Sequence, residues 1–521
     1  MKLLSSFFPS NLIQNHLFSD REITGVVSDN RLISPGNIFV AIKGENHDGH
    51  LYISDAIQRG ACAVVGTLDI PVMNVPYIRV ENSRRALAEL SSAFYDYPGK
   101  DLLLIGITGT DGKTTTANIM HQIFLANGIR SGLISTVSAQ IGNEFIDTGF
   151  HVTTPEAPDI QKFLYKMVQA GMSHAIVETT SHGLAQDRVI PEEFDVGVIT
   201  NITHEHLDFH GTYQDYLKAK GKLFMRLSST KKNFTPVEIC AVLNSDDSSI
   251  LFLKNLLQVE SVTYGINNYA DLRAEKIIQN RNGLNFIAIG ERSGLKNFEL
   301  EITSPLFGRY NVYNILAALS VSIYSLNISP EAAREGVKRM NGVPGRMEVI
   351  DLGQEFTAMV DFAHTPNALK KILEAMKEIT QSRKEKGKVI IVFGSAGLRD
   401  QQKRRMMAEI AAELSDISIL TAEDPRTESL DDILVEMADG MCSKGGIEGQ
   451  TFFRIPDRRE AISYAVKIAG VNDVVITCGK GHEQSMCFGE VEYPWDDRIA
   501  LRTALADRLG IPGYTMPYLP T

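Results

Sequence analysis

The stretch Thr108-Gly109-Thr110-Asp111-Gly112-Lys113-Thr114-Thr115-Thr116 combines three features that together bind phosphate. Glycines let backbone N–H groups approach phosphate oxygens, a following helix would add the positive end of its dipole, and a lysine neutralises charge. Gly109, Thr110, Asp111, Gly112, Lys113, Thr114 and Thr115 are therefore the candidate ATP contacts, with the Thr114 hydroxyl placed to bind Mg²⁺. The strict pattern asks for glycine five residues before Gly112, where this chain has Ile107; its glycines fall at Gly106, Gly109 and Gly112.

Three later stretches hold further chemistry. Glu178, in Val177-Glu178-Thr179-Thr180-Ser181-His182, ends an apolar run and is placed either to hold Mg²⁺ beside Thr114 or to cap a helix. His206 lies between acids in His204-Glu205-His206-Leu207-Asp208 and is a candidate metal or phosphate contact. The lysines of Tyr216-Leu217-Lys218-Ala219-Lys220-Gly221-Lys222 read, by spacing alone, as a solvated helix face.

The elements that must position these residues are apolar runs alternating with helical stretches. Leu102–Ile107 predicts a buried strand and Ala117–Ala126 a helix; strand-like runs recur at 131–135, 175–178, 196–200 and 241–244. Such alternation implies a mostly parallel sheet covered on both faces. Upstream, the runs 38–41 and 61–65 flank a helical stretch, Ile53–Arg59, and Tyr97-Pro98-Gly99-Lys100 reads as a linker. Downstream of Pro344-Gly345-Arg346 the alternation resumes at 389–394, 417–421 and 473–477. The expectation is a three-domain α/β protein: 1–98, a central P-loop domain with a mostly parallel sheet at 99–340, and a Rossmann-like α/β domain at 341–521.

The length of 521 residues suits about three domains, and 44% hydrophobic with 22% charged residues is the balance of a soluble globular protein. The five scattered cysteines read as free thiols. A formal net charge of −11 argues against general affinity for nucleic acid or anionic membrane. Pro9 breaks the short apolar start, and no run reaches the roughly 20 residues of a membrane span. A cytoplasmic monomer without membrane insertion is expected.

The ordered set Gly109 to Thr115, Glu178 to Arg188, Asn201 to Asp208, Tyr216 to Phe224, Gly308 to Ala318 and Asp361-Phe362-Ala363-His364-Thr365-Pro366 resembles the Mur ligase family. Ser28-Asp29-Asn30-Arg31, Asp48-Gly49-His50, Thr153-Thr154-Pro155-Glu156 and Gly479-Lys480-Gly481-His482-Glu483 resemble its tripeptide-forming branch. The resemblance implies an ATP-dependent, ADP-forming ligase in peptidoglycan precursor synthesis. Its substrates would be a UDP-N-acetylmuramoyl dipeptide, a diamino acid and ATP, with Mg²⁺ as the metal. It also assigns UDP-substrate, ATP and amino-acid binding to the three domains in order. Another ligase of the superfamily (a folylpolyglutamate synthase or the enzyme adding D-alanyl-D-alanine) and an inactive nucleotide-binding homologue are the alternatives.

By matching position, Lys113, Glu178, His206 and Lys220 would be catalytic. Thr114, Glu178, His206 and Lys220 would support metal, Lys220 as a carbamate. Asn311, Arg346 and Asp361 would contact ATP, and Ser28, Thr153, Thr154, Thr180, Gln186 and Arg188 the UDP-linked substrate. Phe362 stands where tyrosine is more usual. Arg399, Glu423, Asp424, Pro425, Arg426, Gly479 and Glu483 match amino-acid contacts. The branch adding meso-diaminopimelate usually reads Asp-Asn-Pro-Arg where this chain has Glu423-Asp424-Pro425-Arg426. Arg426 can grip a distal carboxylate, whereas the added charge of Asp424 would suit the terminal ammonium of lysine or ornithine. Diaminopimelate is the favoured expectation.

Overall fold

The structure is a computed structural model that describes residues 2–8, 21–44, 47–70, 74–146, 154–189, 194–203, 207–227, 240–280, 283–381 and 386–520. The chain divides into two compact units, one of Met1–Tyr264 with Ala317–Ser329, the other of Gly265–Leu316 with Pro330–Thr521.

Among the described residues the first unit contains a two-stranded antiparallel pair, Lys2–Leu3 with Glu22–Ile23, and two larger sheets. The smaller of these two has four parallel strands in chain order: Gly25–Val27, Asn37–Val40, Ala63–Gly66 and Tyr77–Arg79. Alternate residues face opposite cores. Ile38, Val40 and Val65 pack with Leu87 and Ala88 of helix Ser83–Phe94, while Phe39, Ala41 and Val64 pack with Ile53 and Ala56.

The larger sheet has six parallel strands in the order Ser131–Ile134, His174–Glu178, Leu103–Thr108, Val196–Ile199, Cys240–Asn244 and Glu260–Gly265, with antiparallel Ala139–Ile141 and Glu144–Ile146 added beside Ser131–Ile134. Every residue of Leu103–Thr108 is buried, as a central strand covered on both faces requires. Each expected strand is present here. The helix after the loop begins at Lys113, four residues earlier than its apolar pattern predicts. Its first turn is polar because it opens onto the loop, so hydrophobicity gives no signal there.

The second unit opens with an antiparallel meander, Leu272–Asn280, Gly283–Gly290 and Phe298–Ser304, which strand–helix alternation does not foretell. A six-stranded sheet follows in the order Glu348–Val349, Thr357–Asp361, Val474–Cys478, Val389–Phe393, Ile417–Leu420, Phe452–Arg454. All its pairings are parallel except the first. Val389, Ile391 and Phe393 point into a core with helices Pro366–Gln381, Gln401–Leu414 and Leu430–Ser443. Ile390 and Val392 point to the other face, covered by helices Arg458–Ile468 and Asp497–Leu509. Each such fully buried side chain contributes roughly 1.5–3 kcal/mol.

Among the described residues no helix is long and apolar enough to cross a membrane. Cys62, Cys442, Cys478 and Cys487 are free thiols, as expected; the Cys240 side chain lies outside the described residues.

Candidate functional site

In the first unit the loop 109–112 connects the buried strand Leu103–Thr108 to helix Lys113–Ala126, whose N-cap is Gly112 with φ 84°. Gly109 has φ 150°, and a Cβ there would collide with Thr200 Oγ1, so glycine is required both conformationally and sterically. The adjacent strand end clamps the loop. Thr110 N donates to Asn201 O (2.7 Å), Asp111 N donates to Asn201 Oδ1 (3.1 Å), and Asp111 O accepts from Thr200 Oγ1 (2.6 Å) and Asn201 Nδ2 (3.0 Å). Lys113 Nζ folds back on Thr110 O at 2.8 Å.

Glu178 ends its strand in register with Ile107, beside the loop. Its buried carboxylate accepts from Thr114 Oγ1 (2.9 Å), Thr136 N (3.0 Å) and Thr136 Oγ1 (3.0 Å). Three donors thus converge on this one carboxylate. Thr114 and Glu178 are thus brought together, as a site for a hard cation at a phosphate loop needs. Thr136 was not singled out by the sequence, and Asn201 entered only as the first residue of the motif Asn201 to Asp208 with no role of its own, because a threonine or asparagine just past a strand has no distinguishing pattern.

Lys220 departs from the solvated face that spacing predicts. Its side chain is buried, Nζ donates to Gly109 O at 2.6 Å, and it lies 4.6 Å from the centre of the Tyr216 ring. Lys218, by contrast, is exposed and pairs with Asp215. Residues two apart on a helix point about 200° apart, so the three lysines cannot share one face. Tyr216 Oη in turn contacts Thr110 Oγ1 (3.0 Å), tying this helix to the loop. His206 lies outside the described residues. Among the described residues no group of three His, Cys, Asp or Glu side chains gathers as a metal cluster.

The residues expected to hold the UDP-linked substrate largely converge. Thr154 Oγ1 meets Thr180 Oγ1 (3.0 Å) and donates to Glu178 O (3.2 Å). Arg188 donates to Thr154 O (2.7 Å) and Gln186 Oε1 (2.7 Å) and pairs with Glu156. Thr180 caps the short helix Ser181–Ala185 by accepting from Gly183 N. Beside them lies a recess of about 400 Å³ lined by Lys43, Gly44, Arg84, Ala185, Gln186 and Phe209. Ser28 follows the strand Gly25–Val27 and makes no side-chain hydrogen bond among the described residues. Thr153 falls outside them.

In the second unit Asp361 ends its strand and accepts from Met347 N and Ala363 N, both at 2.7 Å. Burial raises its pKa to about 6 against the opposing pull of Arg346 and those backbone donors. The Arg346 guanidinium stacks on the Phe362 ring at 4.3 Å. Asn311 is satisfied within its own helix turn, donating to Phe307 O (2.6 Å) and accepting from Asn314 Nδ2 (2.7 Å).

The segment 423–426 lies past the C-terminal end of strand Ile417–Leu420. Asp424 and Arg426 hold left-handed backbone, φ 44° and 54°. The Asp424 carboxylate meets Lys480 Nζ at 2.9 Å through both oxygens and accepts from Cys487 N at 2.9 Å. The free negative charge expected at Asp424 is therefore not available, because a lysine 56 residues away neutralises it inside the fold. Glu483 pairs with the same Lys480 at 2.6 Å. Burial disfavours the Lys480 ammonium, but Glu483 and Asp424 outweigh this and raise its pKa. Glu423 is buried, and desolvation raises its pKa to about 7; its Oε2 makes no hydrogen bond among the described residues and faces Gly479. Pro425 accepts from Glu428 N. The guanidiniums of Arg399 and Arg426 have no ion-pair partner among the described residues, and both are at least partly exposed.

Three family models match the chain: the Mur ligase family catalytic domain over residues 22–95, the Mur ligase middle domain over 107–322, and the Mur ligase glutamate ligase domain over 345–481. A UDP-N-acetylmuramyl-tripeptide synthetase of Roseiflexus sp. (strain RS-1) is 41% identical, covering 93% of this chain and 95% of that protein. A UDP-N-acetylmuramoyl-L-alanyl-D-glutamate–2,6-diaminopimelate ligase of Bacillus licheniformis is 38% identical over 94% of this chain and 96% of its own. A solved structure of a ligase with the latter name matches at TM-score 0.65 and 28% identity, covering 98% and 99% of the two chains.

Proposed function

The chain belongs to the Mur ligase family of ATP-dependent ligases, and on that basis we propose that it joins a diamino acid to the D-glutamate of UDP-N-acetylmuramoyl-L-alanyl-D-glutamate. meso-Diaminopimelate is favoured over L-lysine or L-ornithine, as the activity named for the relatives supports. The observation that carries the reading is the clamped loop 109–115 joined to buried Glu178 through Thr114.

The chemistry is two displacements. An oxygen of the glutamate side-chain carboxylate attacks the γ-phosphorus of ATP, giving an acyl-phosphate and ADP. The deprotonated amine of the diamino acid then attacks the acyl carbon, forming the amide and releasing phosphate. Backbone N–H groups of 109–115 and the helix N-terminus orient the triphosphate, and Lys113, released from Thr110 O, neutralises charge on the transferring group. The oxygen donors of Thr114 and Glu178 fit Mg²⁺, which keeps several waters and needs only one or two protein ligands beside phosphate. Mg²⁺, when bound, supplies charge neutralisation on the phosphates. His206 and a carbamate on Lys220 complete the proposed metal-supporting set.

Thr154, Thr180, Gln186 and Arg188, with Ser28 and Thr153, are the proposed contacts of the UDP-linked substrate. Asn311, Arg346 and Asp361 are proposed for the nucleotide, and Arg399, Arg426 and Gly479 for the amino acid. Segments 1–98, 99–340 and 341–521 take the UDP-substrate, ATP and amino-acid roles. The enzyme would act in the cytoplasm as a monomer. Phosphate release with UDP-N-acetylmuramoyl-L-alanyl-D-glutamate, ATP, Mg²⁺ and each diamino acid in turn tests the reading. Turnover with meso-diaminopimelate is expected; turnover with none of the amino acids would refute it.

A further inference from the structure

We propose that Lys480 is a specificity-determining residue. It neutralises Asp424 and Glu483 inside the fold and so leaves the amino-acid segment positively charged, matched to a diamino acid that carries a second carboxylate. The inference rests on the ligase reading above and deepens it.

The Lys480 side chain is completely buried, with both Asp424 oxygens 2.9 Å away and Glu483 Oε2 at 2.6 Å. Both carboxylates are thus engaged by one ammonium. Asp424 is further fixed by Cys487 N and by left-handed backbone, so it cannot swing out to meet a ligand without breaking several contacts. The loop bearing Arg399 docks on the same segment: Gly397 N donates to Asp424 O at 2.9 Å, and a Cβ at Gly397 would collide with Pro425 O. Arg399 and Arg426 remain without carboxylate partners among the described residues.

The charge count follows. Lys480 and the two guanidiniums supply three positive charges. Asp424 and Glu483 supply two negative ones, and buried Glu423 has an orphaned oxygen rather than an ion-pair partner. A segment with this excess attracts an anionic side-chain terminus and repels a purely cationic one. Without Lys480 the count falls to two positive against two negative, so the excess is lost and Asp424 and Glu483 are left without the ammonium that engages them. Lysine or ornithine would gain what diaminopimelate loses.

The test is kcat/KM for meso-diaminopimelate, L-lysine and L-ornithine with the full-length enzyme and its Lys480→Met, Lys480→Arg, Asp424→Asn and Lys480→Met/Asp424→Asn variants, each checked for folding by thermal denaturation. The wild type is expected to prefer diaminopimelate. Lys480→Met should shift the diaminopimelate-to-lysine ratio toward lysine by roughly 10- to 100-fold, the scale of one uncompensated charge at a partly buried site. Lys480→Arg should hold the ratio, and removing Asp424 from the Lys480→Met background should restore part of it. Asp424→Asn alone should leave the ratio within about threefold, whatever its effect on turnover with all three amino acids together.

An equal loss for all three amino acids in Lys480→Met would overturn the proposal, making Lys480 a scaffold residue. So would a tenfold ratio change in Asp424→Asn, which decides the matter even if Lys480→Met does not fold. Wild-type preference for lysine overturns this inference and leaves the ligase reading intact, whereas no turnover with any amino acid sinks both.

Discussion

The Arg458–Asp497 pair offers a quantitative test of what holds the segment 423–426 in place. Both side chains are fully buried. Arg458 Nε and Nη2 reach the two Asp497 oxygens at 2.8 and 2.6 Å, while Nη1 and Nη2 donate to Ala422 O (3.1 Å) and Cys478 O (2.8 Å). Trp495 Nε1 adds a hydrogen bond to Asp497 at 2.8 Å. Arg458 therefore ties two strand ends together directly before Glu423 and Gly479. Replacing Arg458 with Met leaves a buried carboxylate supported by one indole N–H and two carbonyls without their donor. Breaking a buried pair from one side costs about 3–5 kcal/mol. Replacing both partners, Arg458→Met with Asp497→Leu, removes the stranded charge and should recover at least about 2 kcal/mol of that loss. Denaturant unfolding followed by tryptophan fluorescence is the assay, since Trp495 is the one tryptophan in the chain and is buried beside the pair. A single-variant cost below about 1 kcal/mol would refute the reasoning, as would a double variant less stable than Arg458→Met.

Further outcomes follow from the same geometry. Glu178→Gln should lower kcat by roughly 100-fold or more while costing only about 1–2 kcal/mol in stability; unchanged kcat in steady-state assays would remove Glu178 from the reaction. Lys220→Ala should abolish phosphate release, with partial rescue by added short carboxylates, and full activity in that variant would eliminate the carbamate. Gly109→Ala should abolish ATP binding measured by calorimetry, because the new methyl collides with Thr200. For Glu423 the folded pKa of about 7 lies above the ordinary glutamate value of 4.5, so the folded state holds its proton more tightly than the unfolded chain. Its contribution is fully present below about pH 4.5 and is lost as pH rises through about 7. Glu423→Gln should therefore flatten the decline in stability across that window, by an amount on the order of 3 kcal/mol; a variant profile parallel to wild type in pH-dependent unfolding would count against the buried, orphaned carboxyl.

What the sequence made legible, and what it hid, divides along physical lines. Leu103–Thr108 and Val389–Phe393 were readable because a strand covered on both faces must be a continuous apolar run. The phosphate loop was readable because its glycines, lysine and threonine are contiguous. Lys220 was not, since burying an ammonium against Gly109 O depends on a loop 111 residues away. Asp424 was misread for the same reason. Its charge is visible in the sequence, but the lysine that cancels it enters from a different strand end. Local spacing reports local faces; it is silent about which distant residue closes an ion pair.

The division of the chain bears on how the protein is made. The first unit runs to Tyr264 and then lacks Ala317–Ser329, which arrive only after the first segment of the second unit. Within that returning segment, Val321–Ser325 forms a π-helical turn packed against the phosphate-loop helix Lys113–Ala126. A nascent chain leaving the ribosome therefore cannot finish its first unit when the strand Glu260–Gly265 emerges. It must wait for some sixty further residues, during which the loop helix lacks part of its support. Vectorial synthesis and completion of the fold are out of step here, so a truncation ending at Tyr264 would be an incomplete unit rather than an isolated domain.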